Sequence, residues 1–272
     1  MTRLTAILSA ALLALPATLR AADTNTGRLT GFVRLTGPAP VLSNRIVTVD
    51  LALCGNQARP LQSLLLGSNQ TVRDAVVWLD APATDLGPPA SALLDQRQCE
   101  FVPRVQLARA GAPCVLKNSD PTLHVVQIGI DAAQDRRPSG TSFQLVQPEQ
   151  WTTKMVVPHT NGLPAWWSVA APYAGFAATN QLPATREPLW LRAGNRNGHE
   201  WMTAFIIVMP HPWAALTGDR GEFYFRAIPA GNHTLRVWHE VLGTLTVPVT
   251  IRAGATTSIV VEFRRDLPPR SD

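Results

Sequence analysis

Charge is scarce in this chain. Asp, Glu, Lys and Arg make up 16% of its 272 residues, against roughly 25% in ordinary globular domains. Lysine is nearly missing and occurs only at Lys117 and Lys154. The formal charge of +5 therefore rests on scattered arginines, paired only at Arg136-Arg137 and Arg264-Arg265. Nucleic-acid binders gather positive charge into a stripe with interleaved aromatics. No such stripe exists here, so the reading includes no nucleic-acid partner.

Long apolar runs are missing beyond the first residues. Leu4 to Ala17 is Ala/Leu-rich, follows Arg3 and precedes the small pair Ala21-Ala22. It is too short for a comfortable bilayer span. Residues 1–22 read as a secretory signal peptide. The expectation is a periplasmic or secreted protein whose mature chain does not span a membrane. Removing Arg3 and Arg20 leaves a charge of about +3.

Catalytic signatures are missing too. There is no Gly-x-Ser-x-Gly elbow, no His-Glu-x-x-His and no glycine-rich phosphate loop after a strand. Asp120 and Asp219 read as turn formers. The chain is not expected to be an enzyme. Cysteine is rare, at Cys54, Cys99 and Cys114. Cys54 and Cys99 lie at strand ends, where a staple suits an exported protein. Cys114 sits in an apolar run and reads as a small buried hydrophobe. Three pairings are possible; Cys54–Cys99 with Cys114 free is favoured.

What remains is almost wholly β. Arg28 to Leu35 is strand-like and stops at Gly37-Pro38. Arg45 to Leu53, Asp74 to Leu79, Phe101 to Leu107, Cys114 to Lys117 and His124 to Ile130 follow, separated by Gly, Pro and Asp. Met202 to Val208 and four further runs up to Phe263 complete the series. Short β-rich runs with turn signals between them mark an all-β sandwich or barrel. Residues 84–96 offer the one place for a short helix. Residues 156–190, rich in proline, read as a long loop.

Two stretches carry chemistry. One is Lys117-Asn118-Ser119-Asp120-Pro121-Thr122-Leu123-His124. The other is Asn195-Arg196-Asn197-Gly198-His199-Glu200-Trp201-Met202. Each puts a histidine at a strand-to-loop junction, and the second adds Met202. Copper electron-transfer sites use imidazoles, a thiolate and a weak axial thioether. Three of those four ligands are here, and the thiolate before His199 is not. Trp201 reads as packing and His211 as structural. His239 and Glu240, in Val237-Trp238-His239-Glu240, could orient a ligand from behind or simply end a strand.

These stretches, with Arg28 to Gly37, Cys54-Gly55, Asp74 to Leu79, Cys99 to Pro103, His211-Pro212-Trp213 and Trp238 to Glu240, carry a family likeness. The chain resembles bacterial exported proteins described as cupredoxin-like or methylamine-utilisation-like, with a carboxypeptidase-regulatory-like or transthyretin-like β module. The resemblance implies a cupredoxin-like Greek-key sandwich over residues 28–208 and a smaller immunoglobulin- or transthyretin-like module over 209–265. A frayed tail spans 266–272. The first strand could instead pair with the C-terminal module, making the cupredoxin-like part an insertion. The resemblance also implies copper held by His124, His199 and Met202, together with a cysteine three or four residues before His199. Arg196 and Asn195 occupy those positions.

Two functions follow as expectations. One is an exported cupredoxin-like protein, binding copper or transferring electrons through a site without thiolate, with an unknown redox or envelope partner. The other is a metal-free β-sandwich module that recognises a partner protein or a polysaccharide. Its candidate surface is Trp151, Trp166, Trp167 and Tyr173.

Overall fold

A computed structural model of the chain describes residues 25–56, 59–82, 84, 91–131, 144–146, 152–156, 166–195 and 198–265. The signal-peptide reading of residues 1–22, the Arg136-Arg137 pair, Trp151, Arg196 and the tail 266–272 lie outside them. The protein is all-β, and its only α-helix among the described residues is the single turn Leu51–Cys54.

Two sandwiches are present. In the smaller, strand Thr26–Thr36 lies between Glu222–Pro229 and Thr256–Arg264. This sheet covers a second one, ordered Ala214–Leu216, Val76–Leu79, Gly231–His239, Gly243–Ile251. The core between them includes Leu29, Val33, Val77, Leu79, Phe223, Phe225, Leu235 and Val261. The larger sandwich has a seven-stranded sheet: Gln144–Val146, Thr152–Val156, Trp166–Ala171, His124–Ile130, Leu189–Asn195, Thr203–Met209, Val105–Arg109. Its second sheet runs Ala177–Gln181, Pro113–Asn118, Ala92–Arg97, Glu100–Val102. Neighbours distant in sequence, such as Thr203–Met209 parallel to Val105–Arg109, are crossovers of the Greek-key kind.

The first strand pairs antiparallel with Glu222–Pro229 and parallel with Thr256–Arg264. Val76–Leu79 pairs with Ala214–Leu216 and Gly231–His239. Strand pairing thus crosses the expected division at 208/209. The chain begins in the smaller sandwich, sends the segment Val47 to Cys54 over the larger one, returns for Val76–Leu79, contributes the larger sandwich's strands from Ala92 to Met209 and comes back to the smaller at Ala214.

Three local expectations change. The run Arg45 to Leu53 is not one strand, because only Asn44–Arg45 pairs and a helical turn begins at Leu51. Leu93 and Leu94 lie in strand Ala92–Arg97 and not in a helix, because one is exposed and the other buried, as alternation requires. The segment 156–190 is not one loop. It holds strands Trp166–Ala171 and Ala177–Gln181 and the start of Leu189–Asn195. Pro172 and Pro183 punctuate these strands, so a proline-rich stretch read as irregular is a series of short strands. Cys54 and Cys99 form a disulfide, and Cys114 is free and buried. Burial pushes the Cys114 thiol up to about 12.

Candidate metal centre

The histidines sit at one pole of the larger sandwich. His124 opens strand His124–Ile130, and Asn195 closes its neighbour Leu189–Asn195. In both strands alternate residues face the core, and the alternation turns His124 and Asn195 inward. Both are essentially fully buried.

The loop before His124 is closed by its own side chains. Asn118 Nδ2 donates to the carbonyls of Thr122 (2.9 Å) and Ala171 (2.8 Å), and its Oδ1 accepts from Asp120 N–H. Asp120 is itself buried and links three groups. Its Oδ1 accepts from Gln98 N–H at 2.6 Å. Its Oδ2 accepts from Cys99 N–H at 2.9 Å and lies 2.9 Å from His124 Nε2. Gln98 and Cys99 are both left-handed, with φ of 52° and 58°. One carboxylate therefore holds this tight turn, the disulfide within it and the orientation of the imidazole. With Nε2–H donating to Asp120, His124 Nδ1 is the unprotonated acceptor. Burial, the largest influence, lowers the His124 pKa and favours that neutral ring.

The second stretch meets it. The His199 ring stands edge-on to His124, centroids 4.7 Å apart. His199 Nε2 lies 3.1 Å from Asp50 Oδ2, which also accepts from Thr122 Oγ1. The His199 carbonyl accepts from Met202 N–H at 2.9 Å, closing a turn that returns the thioether to the pole. Trp201 Nε1 donates to the Cys99 carbonyl at 3.0 Å. Trp201 is thus more than packing, because it fixes the His199 turn to the disulfide.

Asn195 lies at the centre. Its Nδ2 is 3.0 Å from His124 Nδ1 and 3.8 Å from Met202 Sδ. It stands four residues before His199, one of the two places where the resemblance expects the thiolate. The structure brings His124, His199 and Met202 together, and a carboxamide lies between His124 and Met202. The donors present fit a soft monovalent ion, since two imidazole nitrogens and a thioether suit Cu(I).

His239 and Glu240 do not reach the pole by any direct bond among the described residues. Glu240 holds Arg104 in a two-pronged ion pair at 2.7–2.8 Å, and Arg104 Nη1 donates to the Thr203 carbonyl beside Met202. His239 Nδ1 accepts from Val241 N–H, which ends its strand. A small cleft of ≈ 40 Å³, lined by Arg45, Glu100, Phe101, Arg104, Trp201 and Met202, opens beside the pole. Both arginines there are neutralised, Arg45 by Glu100 at 2.7 Å and Arg104 by Glu240.

Sequence reading did not place the disulfide at this pole. The sulfurs of Cys54 and Cys99 and a ring nitrogen of His199 lie within 4.8 Å of one another, as do Cys99 sulfur, an Asp120 oxygen and a His124 nitrogen. No spacing in the sequence signals this, because Cys54 comes from a segment far from both histidines. That segment folds over the pole: Asp50 meets His199, Val49 packs on Gly198, and Arg45 Nη2 donates to the Cys54 carbonyl. Asp120 did have a signal, its place four residues before His124 in a loop otherwise read as a turn.

No protein-family model and no curated protein matches the chain. Among solved structures, it is similar to a Cu-containing nitrite reductase from Thermus scotoductus SA-01, at 14% identity and a TM-score of 0.25, over 47% of this chain and 25% of that one. It is similar to a dithionite-reduced auracyanin from Roseiflexus castenholzii, at 15% identity and a TM-score of 0.28, over 46% of this chain and 100% of that one. It is also similar to auracyanin B, at 16% identity and a TM-score of 0.26, over 50% of this chain and 99% of that one. The chain thus spans a quarter of the nitrite reductase and the full length, or nearly so, of the auracyanins. Likenesses this distant carry no argument about the site, whose reading rests on its own geometry.

Proposed function

We propose that this protein is an exported, cupredoxin-like copper carrier with a thiolate-free site made of His124, His199 and Met202. In this reading the cupredoxin-like part, with strands over about residues 92–209, is an insertion in a smaller β-sandwich module, which the pairing of Thr26–Thr36 with Glu222–Pro229 and Thr256–Arg264 supports. The observation that carries the reading is the meeting of the two imidazoles and the thioether around Asn195.

Copper held there would supply soft-ligand affinity and one-electron chemistry. The chain's residues do the rest. Asp120 keeps His124 in the tautomer whose Nδ1 is free to accept. Asn195 Nδ2 meets the lone pairs of His124 Nδ1 and Met202 Sδ, and would turn aside when copper binds them. The Arg104–Glu240 pair holds the Thr203 carbonyl and so the end of the Met202 turn. Thiolate tunes the potential of blue copper sites. Its absence favours holding Cu(I) over rapid cycling, hence carriage over electron transfer. The alternative, a metal-free module using the aromatic segment, is less supported. Trp167 packs against the core, although Tyr173 is exposed.

The test is titration of the oxidised protein with Cu(I) and Cu(II), with His124→Ala and Met202→Ala as controls. One equivalent of Cu(I), weakened by both substitutions, is the expected result. Asn195→Cys should convert the pole to a thiolate site with strong visible absorption in the Cu(II) form. Wild-type binding no tighter than that of the two alanine variants would sink the reading.

A further inference from the structure

We propose that Cys54 and Cys99, once reduced, supply to this pole the thiolate that its loop lacks, so that their dithiol–disulfide state governs copper retention. The inference rests on the pole being a copper site. It adds a second donor pair and a release device.

Geometry carries it. Both sulfurs lie within 4.8 Å of a His199 nitrogen, and Cys99 sulfur lies within the same distance of a His124 nitrogen. Metal–sulfur and metal–nitrogen bonds of about 2.3 Å and 2.0 Å can bridge such spacings with small shifts. All four residues are buried to 2% exposure or less. Their relative placement is held from two sides. Asp120 binds Cys99 N–H and His124, and Trp201 binds the Cys99 carbonyl beside His199. A disulfide needs only a staple between strands, and nothing in that role calls for two imidazoles against its sulfurs. A thiolate ligand does.

The chemistry balances with a dithiol as reductant. The Cys54–Cys99 bond breaks and takes up two electrons and two protons, giving two thiols, while the dithiol leaves as its own disulfide. Binding of Cu(I) then displaces the thiol protons to solvent. A disulfide oxidant reverses the sequence: it is reduced to thiols, the Cys54–Cys99 bond re-forms, and the sulfurs cease to be anionic donors. Copper is then left to the weaker His124, His199 and Met202 set.

The experiment uses the mature chain, oxidised and phosphine-reduced, with Cu(I) delivered from a competing chelator. The phosphine takes oxygen from water and becomes its oxide as the two thiols form. The reduced chain should bind one Cu(I) on the order of 100-fold tighter than the oxidised chain. It should also gain near-ultraviolet thiolate-to-copper absorption and protect both cysteines from alkylation. His199→Ala should remove most of that gain. Equal affinity in the two states, or tight binding indifferent to His199→Ala, would mean a structural disulfide only. A reduced chain that loses its β circular dichroism and is not restored by one equivalent of Cu(I) would overturn the proposal as well. The earlier reading is judged separately, by the Met202 dependence of the oxidised chain. Copper held only by the reduced chain would sink that reading and leave this one standing.

Discussion

At the scale of residues, burial governs the histidines. His124, His211 and His239 all have lowered pKa values, each chiefly because burial disfavours the charged ring. His239 is the extreme case, pushed down to about 4 by burial and then by the neighbouring Arg104. It shares a cleft with Arg73, Asp74, Arg104 and Glu240. Below pH 6.5 an unfolded histidine takes up a proton that the folded His239 refuses until about pH 4. The unfolded state therefore binds more protons in that window, and stability falls as pH falls. The loss from this residue is on the order of 3 kcal/mol. Asp74 opposes it near the acid end, because burial raises its carboxyl above the ordinary 3.8. Urea midpoints at pH 7 and pH 4.5 should show the drop. His239→Asn, whose Oδ1 can take over the bond from Val241 N–H, should flatten it. A wild-type midpoint equal at both pH values would rule this out. The same scale shows how far the site was legible. His124, His199 and Met202 could be named because their neighbours and spacing are local. That Asn195 reaches His124 and Met202 could not, since it depends on which way a strand end faces.

At the scale of elements, two strands are buried on both faces. In Thr203–Met209, Ala204, Ile206 and Val208 face the larger core, while Phe205, Ile207 and Met209 face a third cluster. In Val76–Leu79, Val77 and Leu79 face the smaller core, while Val76 and Trp78 face that same third cluster. Their unbroken apolar runs are what a strand serving two cores requires. The strand nature of both was readable; their double duty was not, because a run without alternation names no partner. Thr26–Thr36 shows the opposite limit. Its alternation was plain, yet its place between Glu222–Pro229 and Thr256–Arg264 depends on residues some two hundred positions away. Close approach sets its middle: a Cβ on Gly31 would lie 2.5 Å from the Ile259 carbonyl oxygen and 2.5 Å from the Phe223 ring. The ring can swing, but the carbonyl belongs to the parallel partner strand. Gly31→Ala should therefore cost about 3 kcal/mol by overpacking. Thr30→Ala, whose hydroxyl makes only a 3.4 Å contact, should cost less than about 1 kcal/mol. Chemical denaturation of both variants checks this, and equal costs would contradict the account.

At the scale of the whole molecule, the third cluster joins the two sandwiches. Trp238, 2% exposed, stands edge-on to Phe205 at 5.2 Å and to Trp190 at 6.2 Å, and Trp190 meets Trp78 at 5.2 Å. These rings come from both sandwiches, so the interface is built like a core. Trp238→Ala should cost about 3–5 kcal/mol and split calorimetric unfolding into two transitions. One transition at an unchanged midpoint would mean that the sandwiches do not rely on this cluster.

The all-β character, the turns between the C-terminal strands and the preference for Cys54–Cys99 were determined by the sequence alone. So was the candidacy of His124, His199 and Met202. All of these rest on local signals: alternation, turn residues and strand-end placement. The tertiary structure alone decided that the first strand completes the C-terminal sandwich, that Asn195 bridges His124 and Met202, and that the disulfide lies against the histidines. Each depends on contacts between residues far apart in the chain. Periodicity tells a strand which face to bury, but not which strand will cover it.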